Sequence, residues 1–476
     1  PKINTCFMKK EQMKRKTPHW ASVFLLCLIA FSYSCKDDTV STGGYDPSKP
    51  VVFRDFSPEE GSIRTKFYIY GENFGTDISK IHVSIGGQVA YTIGSSGTEI
   101  YCMVPRRAFD GVVKVSIESA DGSSEVNYEF EKRFSYVSKT SVGTLCGKVD
   151  EQGNAANIDG TFDEAGFVSA EWMLLDTFGV EKYLYVSHPG SCIRKIDLAK
   201  EEVSTMITNG QGAFKSMQYM TFDMKGDTIF VIDDNGENNK ERMAISFLLR
   251  SENFRKAQPY IYDRCGYSVY YHPLNECLYY NTWWKSALQK AVYDPSIKGM
   301  AGQEVIPVYE GRDDRSYISG HPSGKFMYIL GAQCVFKSKF NTTTKEFQTP
   351  IIFAGRFNEW GYVDGQGEQA RFDTPVQGTF VKNEDYVREG KEDVYDFYLC
   401  DRNNHCIGKI TPEGFVSTFA GRGSTSSDGQ IQGHIDGDLR KEARFNQPMG
   451  IVYDEETRTF YIGERDNHRI RTITVE

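Results

Sequence analysis

Three stretches of this chain are variants of one another: DGTFDEAGF from Asp159, DGQGEQARF from Asp364 and DGDLRKEARF from Asp436, the last with one extra residue. The second and third run on as DTPVQG and NQPMG. A second element pairs FYLCDRNNHCIGKI with FYIGERDNHRIRTI, and LYVSHPGSCIRKI is a divergent copy. A third is VSTFAG at 416–421, echoed by VSTMI at 203–207, IIFAG at 351–355 and VGTLCG at 142–147. A repeat of this kind is one supersecondary unit that cannot bury its apolar face alone, so its copies must stack. The local pattern says what stacks. In KFYIYGENFG, VKVSIES and KYLYVSHPG apolar and polar residues alternate between Gly, Asn and Asp, a strand-and-turn signal. Helical periodicity is almost absent after residue 34, and the chain is read as all-β.

This grammar resembles NHL repeats, which build β-propellers of four-stranded blades. At roughly 45–60 residues per blade about six blades fit. The copies between about Gly210 and Tyr309 have lost the motif. SVGTLCG is an end-of-blade element, yet it precedes the first full blade, and the last blade stops at RIRTITVE without its own copy. Residues near 141–147 are therefore expected to pair as the outer strand of the C-terminal blade, an N-terminal strand closure that removes the open edges. Ahead of the repeats, residues 50–134 read as about seven short strands, enough for a β-sandwich. Ser57-Pro58, Gly61, Thr65, IYGENFG at 69–75, VSIGG at 83–87 and Val104-Pro105 make this segment resemble an IPT/TIG immunoglobulin-like domain. That resemblance implies a spacer or interaction module.

The N-terminus carries an address. A basic cluster, Lys14-Arg15-Lys16, precedes an apolar run from about Trp20 to Phe31, and Ser32 and Ser34 flank Tyr33 before Cys35. Basic, apolar and small-residue regions in that order make a signal peptide, and the apolar run falls short of the about 20 residues that span a bilayer. The cysteine after the cleavage site resembles a bacterial lipobox, which implies lipidation of Cys35. CKDD resembles the tag after the lipid cysteine of surface-exposed Bacteroidetes lipoproteins, a receptor-read address. Residues before Met13 are taken as upstream of the working start. The expected organisation is signal peptide 1–34, lipidated Cys35 and flexible tether 35–49, IPT/TIG domain 50–134, and NHL-type propeller 135–476.

Net charge is −9, which argues against nucleic acid and against general adhesion to anionic membrane; the membrane is reached through the lipid alone. Eight cysteines follow Cys35, and none forms a close CxxC zinc pattern. Cys400 and Cys406 flank the turn in CDRNNHC and could pair across a hairpin.

Repeats keep structural positions alike, while loops carry function. Counting five residues back from Ile193, Leu288, Ile407 and Ile470 gives a slot holding His188, Trp283, Arg402 and Arg465. In a propeller this slot falls on the turns between second and third strands, which share one face with the blade connections. A slot that changes to His and Trp is a candidate ligand-facing position. Trp284 adjoins it, and NEWGYVDG places Trp360 and Tyr362 in a connection on the same face, at the rim. Tryptophan and tyrosine planes stack on the apolar faces of sugars while Arg, Asp and Asn bond the hydroxyls, an apolar surface with a few convergent polar groups. Trp172 aligns with the glycine after NQPM on an inner strand and is assigned to the core. The repeated Asp159, Asp364 and Asp436 each begin an Asp-Gly turn and are read as capping it; Asp401 and Asn404 likewise read as turn architecture.

Some NHL propellers are lyases that use a metal held by histidines near the channel. Here His188, His272, His321, His405, His434 and His468 lie in the propeller without an HExxH or similar spacing. His405 and His468 share one repeat slot and read as structural copies. There is no GxSxG, and no metal or other cofactor is expected. Anchor, tag, IPT/TIG spacer and aromatic-rich propeller together resemble accessory lipoproteins of polysaccharide-utilisation systems in gut Bacteroidetes. The resemblance implies a surface glycan-binding protein that captures a polysaccharide or oligosaccharide for an outer-membrane transporter complex. The alternatives are an NHL-propeller lyase or hydrolase acting on a glycan or peptide, and a protein-interaction scaffold.

Overall fold

The computed structural model describes residues 44–475 apart from 213, 284–287, 307–314, 332 and 424–428. Cys35 with the leader before it, and Trp284, lie outside the described residues.

Alternation makes the first unit a sandwich. In VKVSIE, Val113, Val115 and Ile117 are buried while Lys114 faces out. Strands Val52–Ser57, Lys66–Glu72, Glu99–Met103 and Tyr91–Ser95 form one sheet in that order; Gln88–Val89, Ile81–Ile85, Val113–Glu118 and Glu125–Glu129 form the other. Their inner faces meet on Phe56, Phe67, Ile69, Val83, Val115 and Phe130. In GENFG the glycines answer two different needs. Gly75 has φ +76°, the left-handed region glycine tolerates. Gly71 sits within a strand, where a Cβ would collide with the Val52 carbonyl and the Phe74 ring. The short strand Ser135–Tyr136 pairs in parallel with Glu60–Gly61, and Arg107 donates to the Thr457 carbonyl at 2.8 Å, so the sandwich touches the propeller.

Among the described residues the propeller has six four-stranded blades. Their inner strands, Met173–Asp176, Met217–Phe222, Gly266–His272, Tyr317–Gly320, Pro375–Lys382 and Pro448–Asp454, contact one another in sequence, and the last contacts the first. Ring closure follows the expected route. Strand Thr140–Cys146 pairs antiparallel with Arg469–Val475, from Thr140 opposite Val475 to Cys146 opposite Ile470, as the outer strand of blade six. Large apolar side chains fill the axis, among them Trp172, Tyr219 and Tyr317.

The Asp-Gly elements prove to be a clasp on the outer edge. Gly160–Thr161, Gly365–Gln366 and Gly437–Asp438 add short fifth strands to blades one, five and six. Asp159 accepts from the Thr205 hydroxyl at 3.0 Å, Asp364 from Thr418 at 2.9 Å, and Asp436 from Thr144 at 3.1 Å. The aspartates thus tie down a threonine of the outer strand and do not simply cap their own turns. Blades two and three, which lack the element, pair their outer strands with each other at Ile261 and Met300, so eight strands run as one sheet.

Candidate functional site

The turns joining second and third strands lie on the same face as the blade connections, since Asn404 of one such turn donates to the Gly361 carbonyl of a connection at 2.7 Å. One backbone bond fixes the slot at their base. The N–H groups of Trp283, Arg402 and Arg465 donate to the carbonyls of Cys265 (2.7 Å), Thr374 (3.2 Å) and Gln447 (3.0 Å), each residue just before an inner strand. Asp234 makes the same bond to Ser216 at 2.9 Å. These four side chains therefore start from equivalent points around the axis.

His188 does not belong with them. It closes its strand opposite Cys192, as Asp401 does opposite Cys406 and Glu464 opposite Arg469. The turn of blade one is one residue shorter, so counting back from Ile193 misplaces the slot by one. His188 instead bonds Asn157 through Nδ1 at 3.0 Å, and burial lowers its pKa, with Arg194 and His468 adding to the effect.

Around the axis the slot residues meet others. Burial pulls Arg402 below its ordinary range; Arg465 and Arg315 push the same way, while Tyr317 and Glu171 oppose. Burial raises the Glu171 carboxyl, opposed by the Ser169 hydroxyl, Arg465 and Arg402. Arg465 stands 3.8 Å from Glu171. The Arg315 guanidinium lies 5.7 Å from the Tyr267 ring centre, and the Tyr267 hydroxyl donates to Asp234 at 3.3 Å. Tyr317 packs at 4.6 Å on Trp172, which is 1% exposed and donates to Gln218 at 3.0 Å. The result is an axial mouth, floored by Tyr317 over Trp172 and walled by Glu171, Asp234, Tyr267, Arg315, Arg402 and Arg465. Trp283 enters from blade three, partly buried against the same core.

Trp360 and Tyr362 lie on the connection into blade five. Trp360 is 72% exposed. Tyr362 is engaged structurally: Arg422 covers its ring at 3.7 Å, and its hydroxyl accepts from Thr418 at 2.9 Å and Arg440 at 3.2 Å.

Other proteins share this architecture. The IPT/TIG domain model matches residues 50–131. An auxiliary nutrient binding protein from Bacteroides thetaiotaomicron is 38% identical, with a TM-score of 0.66, over 91% of this chain and 100% of that one. Another from Bacteroides ovatus is 33% identical, with a TM-score of 0.73, over 91% and 100%. A Bacteroides thetaiotaomicron protein named as a candidate phosphatase is 33% identical, with a TM-score of 0.66, over 92% and 99%. The chain belongs to the family of these Bacteroides proteins. The chain also matches NHL repeat-containing protein 2 of Gallus gallus, 27% identical over 118 residues, which is 25% of this chain and only 14% of that protein.

Within this family fold, several chemically suggestive residues serve the scaffold. His405 and His468 both adopt left-handed backbone, φ +54° and +59°, and each bonds the backbone of the following connection, at Gln447 N and Val168 O. Cys400 lies opposite Ile407, not Cys406, and both cysteines are free and buried. Among the described residues no group of three or more His, Cys, Asp or Glu is arranged to hold a metal. Sequence counting missed Asp234, because blade two has lost the repeat motif. It also missed Glu171, whose place in the aligned repeat is taken by Met449 in blade six, and Arg315, which precedes an inner strand outside any repeat that was aligned.

Proposed function

We propose that the protein captures a glycan nutrient on the cell surface, with the ligand lying across the axial mouth. The observation that carries this is the mouth itself: the partly buried Trp283 set among convergent polar groups on one face of the ring, above the buried rings of Tyr267 and Tyr317. Such a mixture suits sugars, which offer apolar faces and many hydroxyls. The nutrient-binding names of relatives aligned over nearly the whole chain support the same reading. Trp283, Trp284 and Arg402 are assigned to binding, with Trp360 and Tyr362 at the rim; His188 stands outside the mouth and contributes at most from its edge.

In this reading Cys35 is lipidated, Lys36-Asp37-Asp38 directs the protein outward, and the tether gives reach towards a transporter. Weak sites then gain from avidity on a polymer. The binding test is calorimetry against a panel of soluble polysaccharides, with melting curves for every variant. Trp283→Ala should weaken binding of the recognised glycan; loss of an interface anchor reaches about 2 kcal/mol, or roughly thirtyfold. A folded Trp283→Ala/Trp284→Ala variant that binds as well as wild type would sink the site assignment. For the address, alanines at 36–38 should leave the protein anchored but inaccessible to external protease. The phosphatase name of one relative keeps catalysis as a second reading, and a turnover screen on phosphate esters and glycans decides it.

A further inference from the structure

We propose that the axial mouth recognises an acidic glycan, a sugar bearing carboxylate or sulfate, through Arg402 and Arg465 with Arg315 beside them. This rests on the glycan-capture reading and names the class of sugar.

Four sunken arginines elsewhere in the propeller sit on carboxylates. Arg194 lies 3.0 Å from Asp159, Arg250 2.9 Å from Asp176, Arg371 2.8 Å from Glu359, and Arg471 3.0 Å from Glu464. Arg402, like the half-buried Arg422 and Arg469, is not among them. Its Nε donates to the Asn403 side chain at 3.3 Å, and among the described residues it makes no ion pair. Half-buried in the mouth, it faces two further cations. Arg465 is no closer than 3.8 Å to Glu171 and 3.9 Å to Asp466. Arg315 is exposed and lies over an aromatic ring.

Acidic groups also lie nearby, and among the described residues none of them bonds Arg402. Glu171 is held by the Ser169 hydroxyl at 2.7 Å. Asp234 receives the Tyr267 hydroxyl. Asp373 is occupied by Asn403 at 3.0 Å and Thr374 at 3.2 Å. Asp466 is on the open side, half-exposed.

A guanidinium held partly out of water and lacking a bonded carboxylate gains from an anion that supplies one. The remaining N–H groups of Arg402 form a planar fork suited to two oxygens of one carboxylate, and they accept sulfate oxygens as well. Repeat symmetry adds to the argument. Arg402 and Arg465 start from equivalent backbone points on adjacent blades, so both can reach one anion placed near the axis. Trp283 occupies the same slot across the ring, where it can take the apolar face of the sugar that carries the charge.

The experiment uses the mature full chain and three sets of oligosaccharides: polyuronates, sulfated glycosaminoglycan fragments, and neutral glucans and xylans. The polyuronate is also supplied with its carboxyls reduced to alcohols. Binding is expected to an acidic set, weakening as salt rises. Arg402→Gln and Arg465→Gln should each lose tenfold or more, while Arg388→Gln on a remote helix stays at wild-type affinity. Loss of binding on carboxyl reduction identifies carboxylate as the recognised group; preference for the sulfated set identifies sulfate. Tight binding of a neutral glycan that Arg402→Gln leaves unchanged would overturn the acidic class and leave glycan capture standing. Absence of binding to every set, by folded wild type, would overturn both.

Discussion

The buried pair Arg471–Glu464 offers a quantitative test of how the last blade is held. Both side chains are 0% exposed. Arg471 donates to Glu464 at 3.0 Å, to the carbonyls of Arg444 at 3.1 Å and Ile435 at 2.9 Å, and to Asp436 at 2.5 Å. Arg471→Met keeps the length of the apolar stem and removes all of these. Glu464 would retain the Asn446 N–H and the Asn467 amide, each at 2.8 Å, but no bonded cation among the described residues. Breaking a buried pair from one side costs about 3–5 kcal/mol, and the two orphaned carbonyls act in the same direction. Blade five contains a natural control. Gly408 occupies the place of Arg471, opposite Leu399 as Arg471 is opposite Ile462. There the buried acid Asp401 stands without an arginine from that strand, and burial pushes its carboxyl up to about 7. Glu464 in Arg471→Met should move the same way, so the deficit should shrink as the pH is lowered to about 5. Adding Glu464→Gln should recover at least about 1 kcal/mol, because the uncompensated charge is gone. Urea unfolding followed by tryptophan emission measures this selectively, since residues 50–134 contain no tryptophan and Trp172, Trp283, Trp284 and Trp360 all follow them. A single-variant loss under about 1 kcal/mol, or no recovery in the double variant, would refute the reasoning.

Two further outcomes follow from the same structure. Ending the chain before residue 468 removes the partner of Thr140–Cys146 and should abolish the cooperative propeller transition; an undiminished melt would show that closure is not needed. Asp401 should also tilt the pH profile. Folded Asp401 keeps its proton up to about 7, whereas an unfolded aspartate loses it near about 4. Between those values the folded state binds the extra proton, so stability falls as pH rises. Asp233, pushed up to about 6 by burial, adds to that slope. Asp401→Asn should flatten the profile between pH 5 and 7.5, and parallel profiles would count against a buried, protonated Asp401.

How far the sequence could be read depended on which physical signal each feature leaves. Strand alternation and the repeated Asp-Gly elements reported the blades, because every copy must meet the same packing demand. The displaced VGTLCG reported the closure, because an end-of-blade strand without a blade needs a partner elsewhere. The role of Asp159, Asp364 and Asp436 was less visible. Their threonine partners lie 46, 54 and 292 residues away in sequence, and an Asp-Gly dipeptide looks like a turn wherever it occurs. His188 failed for a different reason. One residue is missing from its turn, and a count taken along the chain passes straight through such a deletion, whereas a ladder of hydrogen bonds absorbs it in the loop.

The mouth was half legible for a reason that bears on function. Structure in a propeller is written in what the blades share: Ile193, Ile407 and Ile470 are all buried and occupy one position. A ligand on the axis meets all blades at once and cannot itself obey their symmetry. The positions that contact it must therefore differ from blade to blade, as Asp234, Trp283, Arg402 and Arg465 do at one backbone site. Divergence at a position whose backbone is held constant is then the sign to look for, and it is readable only once register has been fixed by pairing. Glu171 and Arg315 show the remaining gap. Arg315 reaches the mouth from a connection where no repeat fixes the count, and Glu171 stands where another blade has Met449, so only the folded ring brings them beside Arg402.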